Sequence, residues 1–372
     1  MSAAVAPVRE VAHKLALLRA ALDQQDAGAI RLRGVDWFAW LTAGGSNAVL
    51  LALETGVAEL LVTRAEACVL TDEIEAARLR AEEVPPGFSF HVAPWEQRAQ
   101  GGALGDALGD DYVREAAANR PVLSDRPREG EAPLPPALRL HRLVLSAPEQ
   151  ERYRALGLAA AQAMTEAISQ ARPDWSELDL AAEGARALWR RGIEPALLLA
   201  AGERRLPLFR HPLPTSEAIG SRAMLVFCAR RHGLYANLTR YVCFGPAPRQ
   251  EQADLMAVEA TGLAALKPGN SLSAAYHALA QAYRHVGREG AIREHHQGGI
   301  TGYRAREIMA TDASATELET GMAFAFNPGF EGIKIEDTFL LGQSGLENLT
   351  CDPAWPATEV QGRMRPLWLE AR

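Results

Sequence analysis

Apolar residues near the start of the chain recur at helical spacing, at Val11, Leu15, Leu18 and Leu22, which predicts an amphipathic helix over roughly the first 25 residues. Short β-like runs follow at 29–32, 48–53 and 58–62, with turn residues between them, and a helical pattern covers 71–80. Alternation of this kind over the first 140 or so residues describes a self-contained α/β domain. Residues 101–136 are rich in Gly, Pro and charge and only weakly periodic, the texture expected near a domain boundary.

The pattern changes at Ser146-Ala147-Pro148-Glu149, a capping box with a proline suited to a first helical turn. Helices are predicted over 148–171, 176–191, 250–266 and 271–287, and strands over 223–229, 235–244, 322–327 and 333–342. The boundary therefore falls near residue 144, giving domains 1–143 and 144–372, the second a larger α+β unit.

The composition of the 372 residues, 48% hydrophobic and 23% charged, is that of a soluble globular protein. No apolar run approaches the roughly 18 residues of a membrane span, and the N-terminus lacks a basic head followed by an apolar core, so neither a membrane nor export is expected. Four cysteines (Cys68, Cys228, Cys243, Cys351) without a C-x-x-C pair point to the reducing cytoplasm. A net charge of −7 argues against nucleic acid as a partner.

Three stretches of the second domain carry candidate chemistry. The first holds Phe209-Arg210-His211-Pro212 and, further on, Val226-Phe227-Cys228-Ala229-Arg230-Arg231-His232-Gly233-Leu234-Tyr235-Ala236-Asn237-Leu238-Thr239-Arg240. The second is His295-His296-Gln297-Gly298-Gly299-Ile300-Thr301-Gly302-Tyr303-Arg304-Ala305-Arg306-Glu307. The third is Asn327-Pro328-Gly329-Phe330-Glu331-Gly332-Ile333-Lys334-Ile335-Glu336-Asp337-Thr338. In order, they resemble the pita-bread peptidase family of methionine aminopeptidase, aminopeptidase P, prolidase and creatinase. The third resembles E-P-G … G-x-R-I-E-D-T with a shortened loop. In the first, Ala229, Arg230, Gly233 and Leu238-Thr239-Arg240 match D-x-G-A-R-x-x-G-x-x-S-D-L-T-R, and the second aligns with G-H-G-x-G-L-x-x-H-E. The resemblance spans the whole chain and implies an α/β N-terminal domain followed by an α+β pita-bread domain.

The family's hydrolysis rests on two metal ions held by two Asp, one His and two Glu, which bring a bridging water to a pKa of about 7. Carried over position by position, those ligands fall on Val226, Asn237, Gly299, Asn327 and Glu336, so only the last keeps its type. No aspartate lies between Leu180 and Ala253, so no local slip restores an Asp pair. His295 and His296 precede Gly299 by a few residues and could swing in, making at best a single site with Glu336. A neutral Asn carbonyl suits a hard cation poorly. No metal cofactor is expected, with a weakly bound Mn or Zn ion as the alternative.

Residues 201–253 contain eight Arg and three Glu with no Lys or Asp, so this region is positive in a negative chain. One reading places these arginines on solvent-facing surfaces. The other sets Arg230, Arg240 or Arg306 beside the metal cavity implied by the family, where a guanidinium repels dications and favours a carboxylate.

His211 falls at the family position of a substrate-side histidine, the place from which creatinase, the metal-free member, draws its catalytic histidine. General-base work there is chemically reasonable, and a plain loop histidine is the other reading. His232 reads as a surface β-turn residue. Tyr303, Arg306 and Glu307 match the end of the second motif and are expected at the cavity wall, or else on a salt-bridged surface. A buried Glu336 without metal is costly unless paired; Arg240 or Arg306 is expected to pair it, with Asn237 and Asn327 completing the network. His211 and Glu336 are thus the catalytic candidates, and Asn237, Arg240, His295, His296, Tyr303, Arg306, Glu307 and Asn327 the expected pocket lining.

The expected function is that of a Xaa-Pro dipeptidase or aminopeptidase P homologue without its dinuclear centre, binding a short peptide or small carboxylate ligand. The alternatives are an active Xaa-Pro peptidase with a rearranged metal site drawn from His295, His296, Glu307 and Glu336, a metal-independent creatinase-like hydrolase with His211 as base, and a non-enzymatic interaction protein. The resemblance also implies a homodimer.

Overall fold

The computed structural model describes residues 5–100 and 109–371, and the chain divides into two units, Met1–Arg142 and Leu143–Arg372. In the first, helix Val5–Gln24 buries Val11, Leu18 and Leu22 on the face their spacing predicts. A six-stranded mixed sheet runs in the order Ser89–Ala93, Ala67–Asp72, Thr55–Val62, Ala29–Gly34, Val122–Ser124, Glu131–Pro133.

Three expectations need correction in this unit. The apolar run 48–53 is no strand but an exposed turn, with Val49, Leu50, Leu51 and Leu53 facing solvent. Ala29–Gly34 already pairs with Thr55–Val62 on one side and Val122–Ser124 on the other, so no edge is left for it. The helix expected over 71–80 starts later. Thr71 and Asp72 extend a strand, the Asp72 carboxylate accepts the N–H groups of Ile74 and Glu75, and helix follows only from Ala76. Residues 109–136 are not boundary texture either, since they supply helix Asp110–Ala116 and two strands of the sheet; 101–108 lie outside the described residues.

In the second unit the Glu149 carboxylate accepts from both the N–H (2.7 Å) and the hydroxyl (2.6 Å) of Ser146, opening helix Ala147–Ser169. Ser176 and Asp179 repeat the device for Glu177–Trp189, and helices Arg249–Ala264 and Leu272–His285 follow. Strands Glu194–Gly202, Arg222–Arg231, Leu234–Cys243 and Leu369–Glu370 form one sheet. A second holds Ile308–Met309, Gly298–Thr301, Ala323–Phe326, Asp337–Gly342 and Gly345–Asn348. The pattern along the chain did not predict Glu194–Gly202, which is held by pairing with Arg222–Arg231, Leu199 opposite Val226.

His232 and Gly233, at φ +54° and +75°, make the tight two-residue turn between the long central strands, with His232 exposed as expected. The strand expected over 333–342 is broken: Ile333–Lys334 pairs with Gly329–Phe330, whereas Asp337–Gly342 joins Ala323–Phe326. Glu336 lies at the break, where the Thr239 N–H donates to its carbonyl (3.1 Å) and the Asn237 N–H donates to Thr338 Oγ1 (2.7 Å), joining the two sheets. Between sheets and helices lies a core that includes Met224, Val226, Tyr241, Leu255, Leu279, Phe324, Phe326 and Phe339. Among the described residues, no helix is long and apolar enough to cross a membrane.

Candidate functional site

Lys334 and Glu336 are two residues apart on extended chain and so share a face. The buried Glu336 carboxylate receives Lys334 Nζ at 3.0 Å, Arg306 Nη2 at 2.8 Å and the Thr239 hydroxyl at 2.9 Å. Burial by itself would push this carboxyl up, but Lys334 and Arg306 outweigh it and hold it down at about 2. Arg306 is thus the partner that the sequence suggested. Arg240 is not: its Nη2 donates to Asp337 Oδ1 (2.7 Å) and the Thr350 carbonyl (2.8 Å), and it reaches Glu336 only at the backbone carbonyl, 3.3 Å away. Lys334 was missed as a candidate, although its spacing from Glu336 was a usable signal.

The two amides do not complete this network. The Thr301 hydroxyl donates to the Arg304 carbonyl (3.0 Å), so it accepts from Asn237 Nδ2 (3.2 Å), which fixes the amide's orientation. Asn237 Oδ1 and Asn327 Oδ1 are left buried without hydrogen-bond partners, and neither amide bonds to Glu336 among the described residues. An open buried acceptor costs about 1–3 kcal/mol, which a bound water or ligand N–H would recover.

His211, His295 and His296 gather at one place, each offering a ring nitrogen within 4.8 Å of the others. His295 Nδ1 lies 2.5 Å from the His296 carbonyl and its Nε2 lies 2.9 Å from His211 Nε2. Burial and the neighbouring His296 and Lys334 push His295 down to about 3; burial and Arg306 push His296 down to about 4. Burial and Lys334 lower His211 as well.

Other expected lining residues face elsewhere. The buried Tyr303 hydroxyl donates to Glu149 at 2.7 Å, bracing the start of helix Ala147–Ser169. Glu307 is buried beside Gly302, and Arg230 pairs with Glu194. Burial and Glu336 push the Cys228 thiol up to about 12, so it is protonated and no nucleophile. A cavity of about 30 Å³, room for about one water, opens beside Lys334. Its polar lining includes Arg210, His295 and Asn327, and its apolar walls include Leu206, Phe209, Met224, Tyr241 and Ile333.

The sequence profile of metallopeptidase family M24 matches residues 151–343, more than half of the chain. The chain belongs to metallopeptidase family M24. Compared by sequence with curated proteins, this M24 chain matches none. Among solved structures it is similar to a Xaa-Pro dipeptidase from Bacillus anthracis, with TM-score 0.74 and 19% identity over 92% of this chain and 98% of that one. It is similar too to a prolidase from Pyrococcus horikoshii OT3 (TM-score 0.72, 19% identity, 91% and 98% covered). An X-Pro aminopeptidase from Thermotoga maritima MSB8 gives TM-score 0.73 at 16% identity, with 95% and 99% covered. At these identities the likeness establishes the pita-bread fold.

The residues that this M24 chain places at the metal-ligand positions, as the motif resemblance assigns them, do not fit a dinuclear centre. Val226 is a core side chain. Gly299, at φ +155°, has no room for another side chain, because a Cβ there would lie 2.1 Å from the Ile308 carbonyl oxygen. Asn237 and Asn327 offer neutral oxygens, and the Glu336 carboxylate is already engaged by two cations.

Proposed function

We propose that this M24 protein binds a short peptide or other small carboxylate-bearing ligand in the cleft beside Lys334 and does not carry out dinuclear-metal hydrolysis. The observation that carries this reading is the capture of Glu336, the one acidic residue at the family's ligand positions, by Lys334 and Arg306. Two cations around one carboxylate leave an excess of positive charge, which repels a pair of dications and attracts an anion.

Lys334 lines the cavity and can receive a ligand carboxylate, and the open Asn327 Oδ1 can accept from an amide or ammonium N–H, whereas Arg210 on the same wall is already paired with Glu294 and bonded to the Phe330 carbonyl. The cavity admits only a small end group, so the rest of a ligand lies across its mouth, where Phe209 is exposed. Apolar surface beside a cation suits a prolyl or aliphatic C-terminus, and the fold shared with Xaa-Pro dipeptidases makes Xaa-Pro dipeptides the first ligands to try. Four cysteines that are free thiols support a reducing, cytoplasmic setting.

Calorimetric titration with Ala-Pro and with its C-terminal amide tests this reading. The free acid should bind at least about tenfold more tightly, and Lys334→Met should remove about 1.4 kcal/mol of its binding. Equal binding of acid and amide, or a dialysed protein retaining two Mn, Co or Zn ions per chain with chelator-sensitive release of proline, overturns it.

A further inference from the structure

The histidine cluster is not used by the carboxylate reading. We propose that His211, His295 and His296 form a mononuclear site for a late first-row divalent cation of the Zn²⁺ or Co²⁺ class, built from none of the five positions that the family resemblance assigns to metal ligands.

The geometry around His295 carries the argument. A carbonyl oxygen can only accept, so the 2.5 Å contact with the His296 carbonyl places the His295 proton on Nδ1 and the lone pair on Nε2. A carbonyl that accepts from the far ring nitrogen in this way is what orients a metal-bound imidazole. The lone pair is aimed at the place where His211 Nε2 lies, 2.9 Å away. Two nitrogens each about 2.0–2.1 Å from one ion stand ~2.9 Å apart at a right angle and ~3.4 Å apart at a tetrahedral one, so a cation enters with a small opening of the pair and with transfer of the proton that His211 Nε2 donates to His295 over to its own Nδ1. His296 supplies the third imidazole, and its Nδ1 is buried without a hydrogen-bond partner.

The donor chemistry selects the ion. Three imidazoles without carboxylate or thiolate suit Zn²⁺, Co²⁺, Ni²⁺ and Cu²⁺ and exclude the oxygen-seeking Mg²⁺, Ca²⁺ and Mn²⁺. Lys334 and Arg306 repel a cation at His211 and His296, and Glu336 attracts it. An ion held there depends on imidazole bonding rather than on surrounding negative charge. His211 is exposed, so the remaining coordination positions face solvent.

Co²⁺ titration of the dialysed full-length chain, followed by visible absorption and elemental analysis, tests the site. One ion per chain is expected. His211→Ala should weaken it at least about tenfold, since even the loss of a group that only hydrogen-bonds to a ligand costs that much, and His296→Gln should do the same. His285→Ala, which removes an exposed histidine at the end of helix Leu272–His285, should leave it unchanged. Unaltered thermal melting of the metal-free variants separates lost ligation from misfolding. No bound ion, or binding unchanged by both His211→Ala and His296→Gln, overturns the inference. Two ions per chain that both survive His211→Ala overturn it together with the carboxylate reading. One ion lost with His211→Ala in a chain that does not distinguish Ala-Pro from its amide upholds this site and overturns only that reading.

Discussion

Glu336 and Asp337 are neighbours on extended chain and point to opposite sides of it. Asp337, fully buried, takes Arg240 Nη2 at 2.7 Å and Arg365 Nη1 at 2.8 Å, and Arg365 forks onto Glu259 at 2.5 and 2.6 Å. Two cations meet two carboxylates, and the Thr350 hydroxyl donates to the same Asp337 oxygen that Arg240 holds. On the other side Glu336 faces two cations alone, next to a cavity and with two amide oxygens nearby left open. Both carboxylates are equally hidden from solvent, so burial does not tell the clusters apart. Charge balance does: the closed cluster sets two guanidiniums against two carboxylates, and the open one sets two cations against a single carboxylate.

The largest effect is expected from breaking the closed cluster. Asp337→Asn strands Arg240 and removes one of the two anions of Arg365 in a fully buried setting, and should cost about 3–5 kcal/mol. Arg365→Lys keeps the charge but loses the fork on Glu259, for an expected loss of about 2 kcal/mol or more. Urea unfolding measures both. A cost of Asp337→Asn below about 1 kcal/mol would remove the distinction between the clusters.

Glu336→Gln should cost less, about 1–3 kcal/mol, because Lys334 and Arg306 keep some access to water. Binding should move in the opposite direction: with the competing carboxylate gone, Ala-Pro should bind several-fold more tightly. If Glu336 held a catalytic metal, the same change would abolish activity and improve nothing. The acid limb gives a second reading of this pair. The folded carboxyl sits at about 2, below its ordinary value of 4.5. Its stabilising contribution is therefore complete above about pH 4.5 and is lost as pH falls from there towards 2. Urea midpoints should fall more steeply across that window in the parent than in Glu336→Gln.

Much of this was legible in the sequence because it is local. The capping residue Ser146, the tight turn at His232-Gly233 and the central strands all follow from short-range pattern. The pairing of Glu336 with Arg306 could be anticipated from the cost of an unpaired buried carboxylate. What could not be read depends on contacts distant in the chain. Tyr303 lies in the second motif but turns its hydroxyl to Glu149, and Arg240 adjoins Thr239 in sequence yet serves Asp337. The exposed run 48–53 has strand-like composition, but the neighbouring strand Ala29–Gly34 is already paired on both sides. His211 meets His295 only through the fold, so no spacing along the chain announces the cluster.

The smallest effect sharpens the comparison most. Arg306 touches the Glu336 carboxylate through Nη2 alone and spends Nη1 on the Ala305 carbonyl, whereas Arg365 uses two nitrogens on Glu259 and a third on Asp337. Arg306→Lys keeps the charge and gives up little geometry, so it should cost less than about 1 kcal/mol and change Ala-Pro affinity less than about threefold. Measured by urea unfolding and calorimetry beside Arg365→Lys, the two conservative swaps should differ by more than about 1 kcal/mol. Equal costs would mean that the open cluster is as geometrically committed as the closed one, leaving its cations no freedom to turn from Glu336 to an incoming carboxylate.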